Sequence, residues 1–440
     1  MINDTICALA SGPPPAGIAV IRVSGPRATD WMKSHIRGPA LSPRIASVRT
    51  IVDDRDQIID KALTLFMPAP HSYTGDDTLE LNLHGGYAII EHALECLVNF
   101  DGIRLAEAGE FTRRSFEAGK LDLTQAEGIA DLIEAETRAQ KSQALAQADG
   151  ALSELYNGWR DDLLAALALI EVSVDFPDEA DAPDQTDTPV FEKLTNLAAS
   201  FASALELGSL HQSVRDGFRV AIIGAPNVGK STLLNQLAGR EAAIVTDIPG
   251  TTRDVVEVRC RVGSHIVWFA DTAGLRETDD QVEAEGVRRA HLAAEESDLR
   301  ILVFDDDAPP SPPIALRAGD LRVRNKSDLM VNQRLMRDLI SISARDGEGI
   351  DRLLQEVEVW LRARTAGKSA PVITRARHRQ GVEAAADHTR RALELLSRDM
   401  GAELVAEEVR MASRSLAGLV GEINVEEILG AVFSEFCIGK

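Results

Sequence analysis

A chain of 440 residues with 45% apolar and 26% charged side chains has material for two to four domains with buried cores, which excludes global disorder. Its formal charge of -22 argues against a broad, non-specific nucleic-acid binder, because neutralising phosphates takes a basic surface. Four cysteines (Cys7, Cys96, Cys260 and Cys437) lack paired spacing and read as reduced thiols, neither a disulfide frame nor a zinc site.

Met1 to Thr5 carries no basic stretch ahead of an apolar core, so no signal peptide is expected. The longest apolar run, Leu163 to Ile170, is too short to span a bilayer. A cytoplasmic protein without a membrane span is the expectation.

In chain order, residues 1–120 mix strand-like runs with turns. Gly17 to Val23 and Thr78 to Leu83 read as strands, and Ser11 to Pro15 reads as a Pro/Gly loop. Residues 121–214 are rich in Ala, Leu, Glu and Gln. Leu145, Leu152 and Leu155 recur at helical spacing with Ala148 between them. Asp175 to Pro189, acidic and proline-punctuated, predicts a surface loop.

Residues 215–366 alternate strand and helix, which predicts a parallel sheet covered on both faces. Residues 367–440 are helical again. Val405, Val409, Ala412, Leu416 and Leu419 form one apolar face, and Asn424 with Glu427 resembles a capping box ahead of Ile428, Val432 and Phe436. The fold class expected is multidomain: an N-terminal α+β domain, a discontinuous helical domain in two parts, and an inserted P-loop α/β domain. Arg375, Arg377, Arg379, Arg390 and Arg391 offer the best local basic face; a solvated helix face explains them equally well.

The chemistry concentrates in the α/β region. The apolar strand Phe218 to Ile223 runs into Gly224-Ala225-Pro226-Asn227-Val228-Gly229-Lys230-Ser231, and Thr232 to Ala238 then reads as a helix ended by Gly239. Strand, glycine-rich loop and helix N-terminus together cradle phosphates through backbone N–H groups and the helix dipole. Lys230 is placed to reach the β- and γ-phosphates, and the Ser231 hydroxyl to ligate Mg²⁺. Strand Ile266 to Ala270 ends in Asp271-Thr272-Ala273-Gly274, where Asp271 supports the Mg²⁺ shell and the Gly274 N–H meets the γ-phosphate. Before it, Gly250-Thr251-Thr252-Arg253-Asp254 supplies a threonine able to close on Mg²⁺ with triphosphate bound.

Asn325-Lys326-Ser327-Asp328 follows strand Leu321 to Val323, and its aspartate is suited to guanine N1–H and N2–H₂. Adenine lacks that donor pair and would strand a carboxylate. Ser343-Ala344-Arg345 follows another apolar run and offers backbone to the base. The sequence therefore reads as a GTP-hydrolysing enzyme. Leu275 occupies the place where many small GTPases keep a water-orienting glutamine. Asn227 and the oxygens of Val245 to Thr252 are candidates to ring a monovalent cation instead, and Glu283 is a candidate to position water; a solvated acidic face around Glu277, Asp279, Asp280 and Glu285 is the competing reading.

Three features carry a resemblance. The G domain is inserted into a helical domain. One loop reads Ile244-Val245-Thr246-Asp247-Ile248-Pro249-Gly250-Thr251-Thr252-Arg253-Asp254, and the chain ends Phe436-Cys437-Ile438-Gly439-Lys440. Gly109-Glu110-Phe111-Thr112-Arg113-Arg114 and Gly119-Lys120-Leu121-Asp122-Leu123 agree with it. In these the sequence resembles, over essentially its full length, the bacterial tRNA-modification GTPases called MnmE or TrmE.

The resemblance implies an N-terminal domain over 1–120 that binds a tetrahydrofolate (5-formyl- or methylene-) and dimerises. It implies a helical domain over 121–214 and 367–440, and a Ras-like G domain over 215–366. With an FAD-dependent partner, MnmG or GidA, in a heterotetramer or larger complex, such a homodimer installs an aminomethyl or carboxymethylaminomethyl group at C5 of the wobble uridine of certain tRNAs. GTP hydrolysis there responds to potassium and G-domain dimerisation.

By the same resemblance, Asn227, Thr246, Ile248 and Thr251 ligate K⁺, and Ser231 and Thr252 ligate Mg²⁺. Glu283 orients water beside Lys230 and Thr252. GTP meets Gly224, Asn227, Val228, Gly229, Lys230, Ser231 and Thr232, then Thr246, Asp247, Ile248, Pro249, Gly250, Thr251 and Thr252. Asp271, Thr272, Ala273, Gly274, Asn325, Lys326, Asp328, Ser343, Ala344 and Arg345 complete that set. Arg22, Glu80, Lys120 and Lys440 contact the folate. Cys437 is assigned a structural or positioning role in preference to that of a one-carbon nucleophile. Departures are the short acidic, proline-rich stretch Asp305 to Pro313 and Gly75-Asp76-Asp77 in place of Gly-Glu-Asp. The alternative reading is a ribosome-assembly GTPase, which shares the nucleotide motifs and lacks the N-terminal domain and the Cys-x-Gly-Lys end.

Overall fold

A computed structural model describes residues 4–175, 189–240, 257–271, 291–292, 294–305, 315–329, 339–367, 373–398, 400–422, 429–430, 432–433, 436 and 439. The chain packs as two compact units. The first comprises residues 1–130, 147–197 and 384–440, and the second comprises 131–146 and 198–383.

The first unit opens with a sheet. Its strands are β1 (Thr5–Leu9), β2 (Ala16–Ser24), β3 (Ile36–Arg37), β4 (Ser47–Val52), β5 (Ile58–Met67), β6 (Thr78–Gly85) and β7 (Ile103–Leu105), in the order β3-β4-β5-β6-β2-β1-β7. All neighbours are antiparallel except β1 and β7. Period-two alternation sorts β2: Ala19, Ile21 and Val23 enter a core with Trp31 of α1 (Ala28–His35) and Leu97 of α2 (Tyr87–Val98). The opposite face of β1 presents Ile6 and Ala8 to Phe111 of α3 (Glu110–Glu117). Covered on both sides, β1 reads as a continuous buried run.

Helices α4 (Leu123–Glu134), α5 (Arg138–Ala148), α6 (Ala151–Asp175) and α7 (Pro189–Asp216) follow. Leu145, Leu152 and Leu155 do not share one helix face as the spacing suggested. Gly150, at φ 100, ends one helix before the next begins, and Leu145 is 43% exposed while Leu152 is buried.

The second unit holds a sheet of β8 (Phe218–Ile223), β9 (Glu257–Val262), β10 (His265–Asp271), β11 (Leu299–Phe304), β12 (Leu321–Arg324) and β13 (Ile340–Ser341), in the order β13-β12-β11-β8-β10-β9. Only the β9–β10 hairpin is antiparallel. Phe218, Val220 and Ile222 face α8 (Lys230–Ala238) and α9 (Ile350–Thr365), while Ala221 and Ile223 enter a second cluster with Leu302 and Phe304. Burial on both faces explains why β8 and β11 are nearly all apolar. The carboxyl ends of such strands open onto a crevice where α/β sheets bind ligands.

Helix α10 (Ala376–Ser397) precedes α11 (Ala402–Val420). Val405, Val409, Ala412, Leu416 and Leu419 are all buried, as their spacing predicts. Within the first unit, α11 lies antiparallel to α6, with Arg410 paired to Glu171 and Arg160 paired to Glu422. Val432 and Phe436 are buried against Leu123 and Ala126. Asn424, Glu427 and Ile428 lie outside the described residues, as does 176–188. Among the described residues no helix is long and apolar enough to cross a membrane.

Candidate functional site

The phosphate loop joins β8 to α8, in the strand–loop–helix context that its residues predict. Its shape depends on three left-handed backbone positions: Gly224 at φ 150, Asn227 at φ 62 and Gly229 at φ 96. A methyl group on Gly224 would overlap the Val303 carbonyl, and one on Gly229 would overlap the Asn325 carboxamide, so both glycines are sterically required. Val228 is buried, while Asn227, Ser231 and Thr232 are exposed.

Lys230 is buried and donates from Nζ to the Gly224 and Ala225 carbonyls, both at 3.0 Å. Those bonds hold the ammonium across the mouth of the loop, where phosphate oxygens would compete for it. The Ser231 hydroxyl donates to Asp271 Oδ2 at 2.6 Å, bringing the end of β10 to the first turn of α8. Asp271 Oδ1 is buried without a hydrogen-bond partner among the described residues. A buried carboxylate oxygen with an open lone pair beside a serine hydroxyl fits the oxygen-ligand chemistry of Mg²⁺.

Asn325 is buried and spans two loops. Its Nδ2 donates to the Val228 carbonyl at 2.7 Å, and its Oδ1 accepts from the Ala344 N–H at 2.9 Å. Its role is to tie the phosphate loop to Ser343-Ala344-Arg345. Lys326, at φ 59, pairs with Asp305 at 2.6 Å. Asp328 sits exposed in a single 3₁₀ turn and accepts the Ser343 hydroxyl at 3.0 Å, which leaves carboxylate facing solvent where a base would dock. Ser343 and Ala344 are buried, and Arg345 is exposed with its carbonyl accepting from Gln236.

Thr246, Asp247, Ile248, Pro249, Gly250, Thr251, Thr252, Thr272, Ala273, Gly274, Leu275 and Glu283 lie outside the described residues. So do Cys437 and Lys440.

A second cluster occupies the first unit. Arg22 and Glu80 face each other directly across β2 and β6 and form an ion pair of 3.0 Å. The Arg22 guanidinium lies 5.6 Å from the Tyr73 ring centre and 5.5 Å from that of Phe111. Burial pushes the Tyr73 hydroxyl up, partly offset by its bond to Thr112 and by the Arg22 charge. Lys120 is exposed and packs its side chain against Gly75. Gly439 reaches Leu9, whose partner in β2 is Ile21, next to Arg22. Nothing in the sequence singles out Tyr73; Phe111 stands within Gly109-Glu110-Phe111-Thr112-Arg113-Arg114, and its aromatic ring is the signal.

Glu110 and Arg114 of that motif are buried and structural. Arg104 grips Glu110 with two bonds, at 2.8 and 2.6 Å, and Arg114 adds a third at 2.9 Å. Burial opposes ionisation, yet the Arg104 bonds, the Glu107 N–H and Arg114 hold the Glu110 carboxyl below its usual range.

The arginine-rich stretch does not form a free basic face. Arg375 pairs with Asp131, Arg379 with Glu383, Arg390 with Asp387 and Glu394, and Arg391 with Glu408. Arg377 lies against His378.

Two family models match. The GTP-binding protein TrmE N-terminus covers residues 5–120, and the MnmE helical domain covers 123–437. The tRNA modification GTPase MnmE of Hyphomonas neptunium is 54% identical over 438 residues, spanning 100% of this chain and 99% of its own. That of Maricaulis maris is 46% identical, spanning 100% of both. Among solved structures, Aquifex aeolicus Era bound to GDP and aluminium fluoride aligns with 32% of this chain and 56% of its own, at 26% identity and a TM-score of 0.25. That last likeness is too low to carry an argument. The curated relatives suffice: this chain belongs to the tRNA modification GTPase MnmE family, a P-loop GTP hydrolase with the family's N-terminal and helical domains, acting in tRNA modification.

Proposed function

We propose that this chain is a potassium-dependent GTPase which, as a homodimer with an FAD-dependent MnmG-type partner, adds a carboxymethylaminomethyl or aminomethyl group at C5 of the wobble uridine. On this reading residues 1–120 bind a tetrahydrofolate and dimerise, 121–214 with 367–440 form the helical domain, and 215–366 form the G domain. The observation that carries the hydrolytic half is Asn227, held exposed at φ 62 inside the phosphate loop. With Leu275 where a glutamine would orient water, an oxygen-ligated monovalent cation is the available source of positive charge. Thr246, Ile248 and Thr251 would complete its shell, and Glu283 would position water.

Mg²⁺ would be held by Ser231 and Thr252 with support from Asp271, and when bound it neutralises charge on the phosphates. Lys230 binds and orients the phosphates, and Asp328 selects guanine. Folate would meet Arg22, Glu80, Lys120 and Lys440; the Arg22 guanidinium between two aromatic rings suits a ligand with a flat pterin and carboxylates. The position of Gly439 beside Leu9 supports placing the terminal lysine in that site.

The test is the nucleoside content of tRNA from cells lacking this protein, with hydrolysis by the purified protein assayed in K⁺ and in Na⁺. Loss of the C5 modification, and GTPase slower by about tenfold or more in Na⁺, are expected. Normal wobble uridines in the deletion strain would defeat the tRNA reading, and equal rates in the two salts would remove the cation.

A further inference from the structure

His35, Asp54 and Cys96 come from three elements of the N-terminal sheet unit: the end of α1, the turn after β4, and α2. Their nearest ligand atoms all lie within 4.8 Å of one another. His35 and Cys96 are buried, and the Asp54 side chain is 65% exposed.

The hydrogen bonding at His35 poses a chemical problem. Its Nδ1 lies 3.2 Å from the Trp31 carbonyl, which can only accept, so this contact is a hydrogen bond when Nδ1 carries the proton. Its Nε2 lies 3.0 Å from Asp54 Oδ1, and a carboxylate can also only accept. In the neutral imidazole a lone pair would then face a carboxylate oxygen. A metal ion bound to Nε2 and to the carboxylate would remove that repulsion. A ring proton shared with Asp54 would involve His35 and Asp54 alone. A metal ion would use all three.

The surroundings fit a metal. An Nδ1–H donated to a backbone carbonyl, with Nε2 presented outward, is the usual posture of a ligating histidine. The ring is fixed by stacking on Trp31, at 4.8 Å and 11°, and by the edge of Phe100 at 5.6 Å. The turn carrying Asp54 is held by Asp53, whose carboxylate accepts the Arg55 and Gln57 N–H groups at 2.8 Å and lies 3.3 Å from His92 Nε2. The buried Trp31 indole N–H lies against Cys96 Sγ, where a thiolate would be a better acceptor than the thiol. The exposed side of Asp54 leaves room for solvent as a further ligand.

We propose that His35, Asp54 and Cys96 form a binding site for a Zn²⁺-class ion that staples α1, α2 and the β4–β5 turn together. Imidazole and thiolate in one site select a borderline-soft divalent metal over Mg²⁺ or Ca²⁺. Binding forms metal–nitrogen, metal–oxygen and metal–sulfur bonds and releases the thiol proton to water, with no redox step. The site is independent of the nucleotide.

The experiment titrates the full-length, chelator-treated protein with Co²⁺ in place of Zn²⁺. The wild type is expected to bind one equivalent with a near-ultraviolet thiolate-to-cobalt band that Zn²⁺ displaces. Cys96→Ser should lose the band, and His35→Gln should weaken binding by about tenfold or more. Thermal unfolding gives a second readout: Zn²⁺ raises the midpoint of the wild type and not that of Cys96→Ser. A folded wild type without the band overturns the proposal, as does a band undiminished in Cys96→Ser. Should Cys96→Ser fail to fold, His35→Gln decides, and wild-type affinity there overturns it.

Discussion

The phosphate loop and the Arg22 cluster show two ways of building a polar site on a sheet. In the loop, Gly224 to Ser231 are consecutive, and much of the chemistry belongs to the backbone: three left-handed residues turn the chain so that N–H groups converge. In the cluster, Arg22 and Glu80 stand 58 positions apart, on neighbouring strands, and meet only because β2 pairs with β6 in one register. Tyr73 and Phe111 come from elsewhere again. A one-residue slip of β2 would turn Arg22 toward Trp31 and break the cluster. The first site is written in local sequence, and the second is written in topology.

Asp328→Asn tests how local the nucleotide site is, and has the largest effect. If base choice rests on this one carboxylate, the variant should shift preference from GTP to xanthosine triphosphate by about 10⁴-fold, since a site built to pair with a donor rejects the analogue lacking it. Competition binding of the two nucleotides measures it. Unchanged GTP preference would sink the assignment.

Arg22→Ala tests the second site. A guanidinium bond to a ligand carboxylate is worth about 1.5–3 kcal/mol, so folate affinity should fall by about 10- to 150-fold. Basal GTP hydrolysis should not change. Isothermal titration with a reduced folate beside a GTPase assay separates the two, and an unaltered folate Kd would detach Arg22 from that ligand.

The same contrast explains what the sequence made legible. Strand Phe218–Ile223 and helix Lys230–Ala238 follow their motif closely, because glycine placement and apolar runs fix them locally. Asn325 belongs by resemblance to the GTP-contacting set; that its amide bonds Val228 and Ala344 at its two ends needs the tertiary structure. The Leu145–Leu155 stripe misled because helical spacing continues across Gly150 while the helix does not. Arg22, Glu80 and Lys120 were reachable only by resemblance, and Tyr73 not at all. The four cysteines spoke against zinc by spacing, a test blind to His35, Asp54 and Cys96 meeting from three separate elements.

The smallest expected effect concerns the support beneath Phe111. Glu110 begins α3 and is gripped by Arg104 and Arg114, so it fixes the helix that carries this ring over β1. Its folded pKa lies below the ordinary glutamate value of 4.5, against the effect of burial, because the Arg104 bonds favour the charged form. A carboxylate depressed on folding contributes stability that is fully present above its unfolded value and is lost as pH falls through the folded one. Glu110→Gln should therefore cost about 1 kcal/mol near pH 7, a modest figure because Arg104 is 42% exposed and water screens it. The difference between wild type and variant should shrink steadily below pH 4.5 and be unchanged between pH 6 and 8. Urea unfolding at several pH values measures it. A gap that persists at the acid end would mean that Glu110 acts through packing and not through its charge.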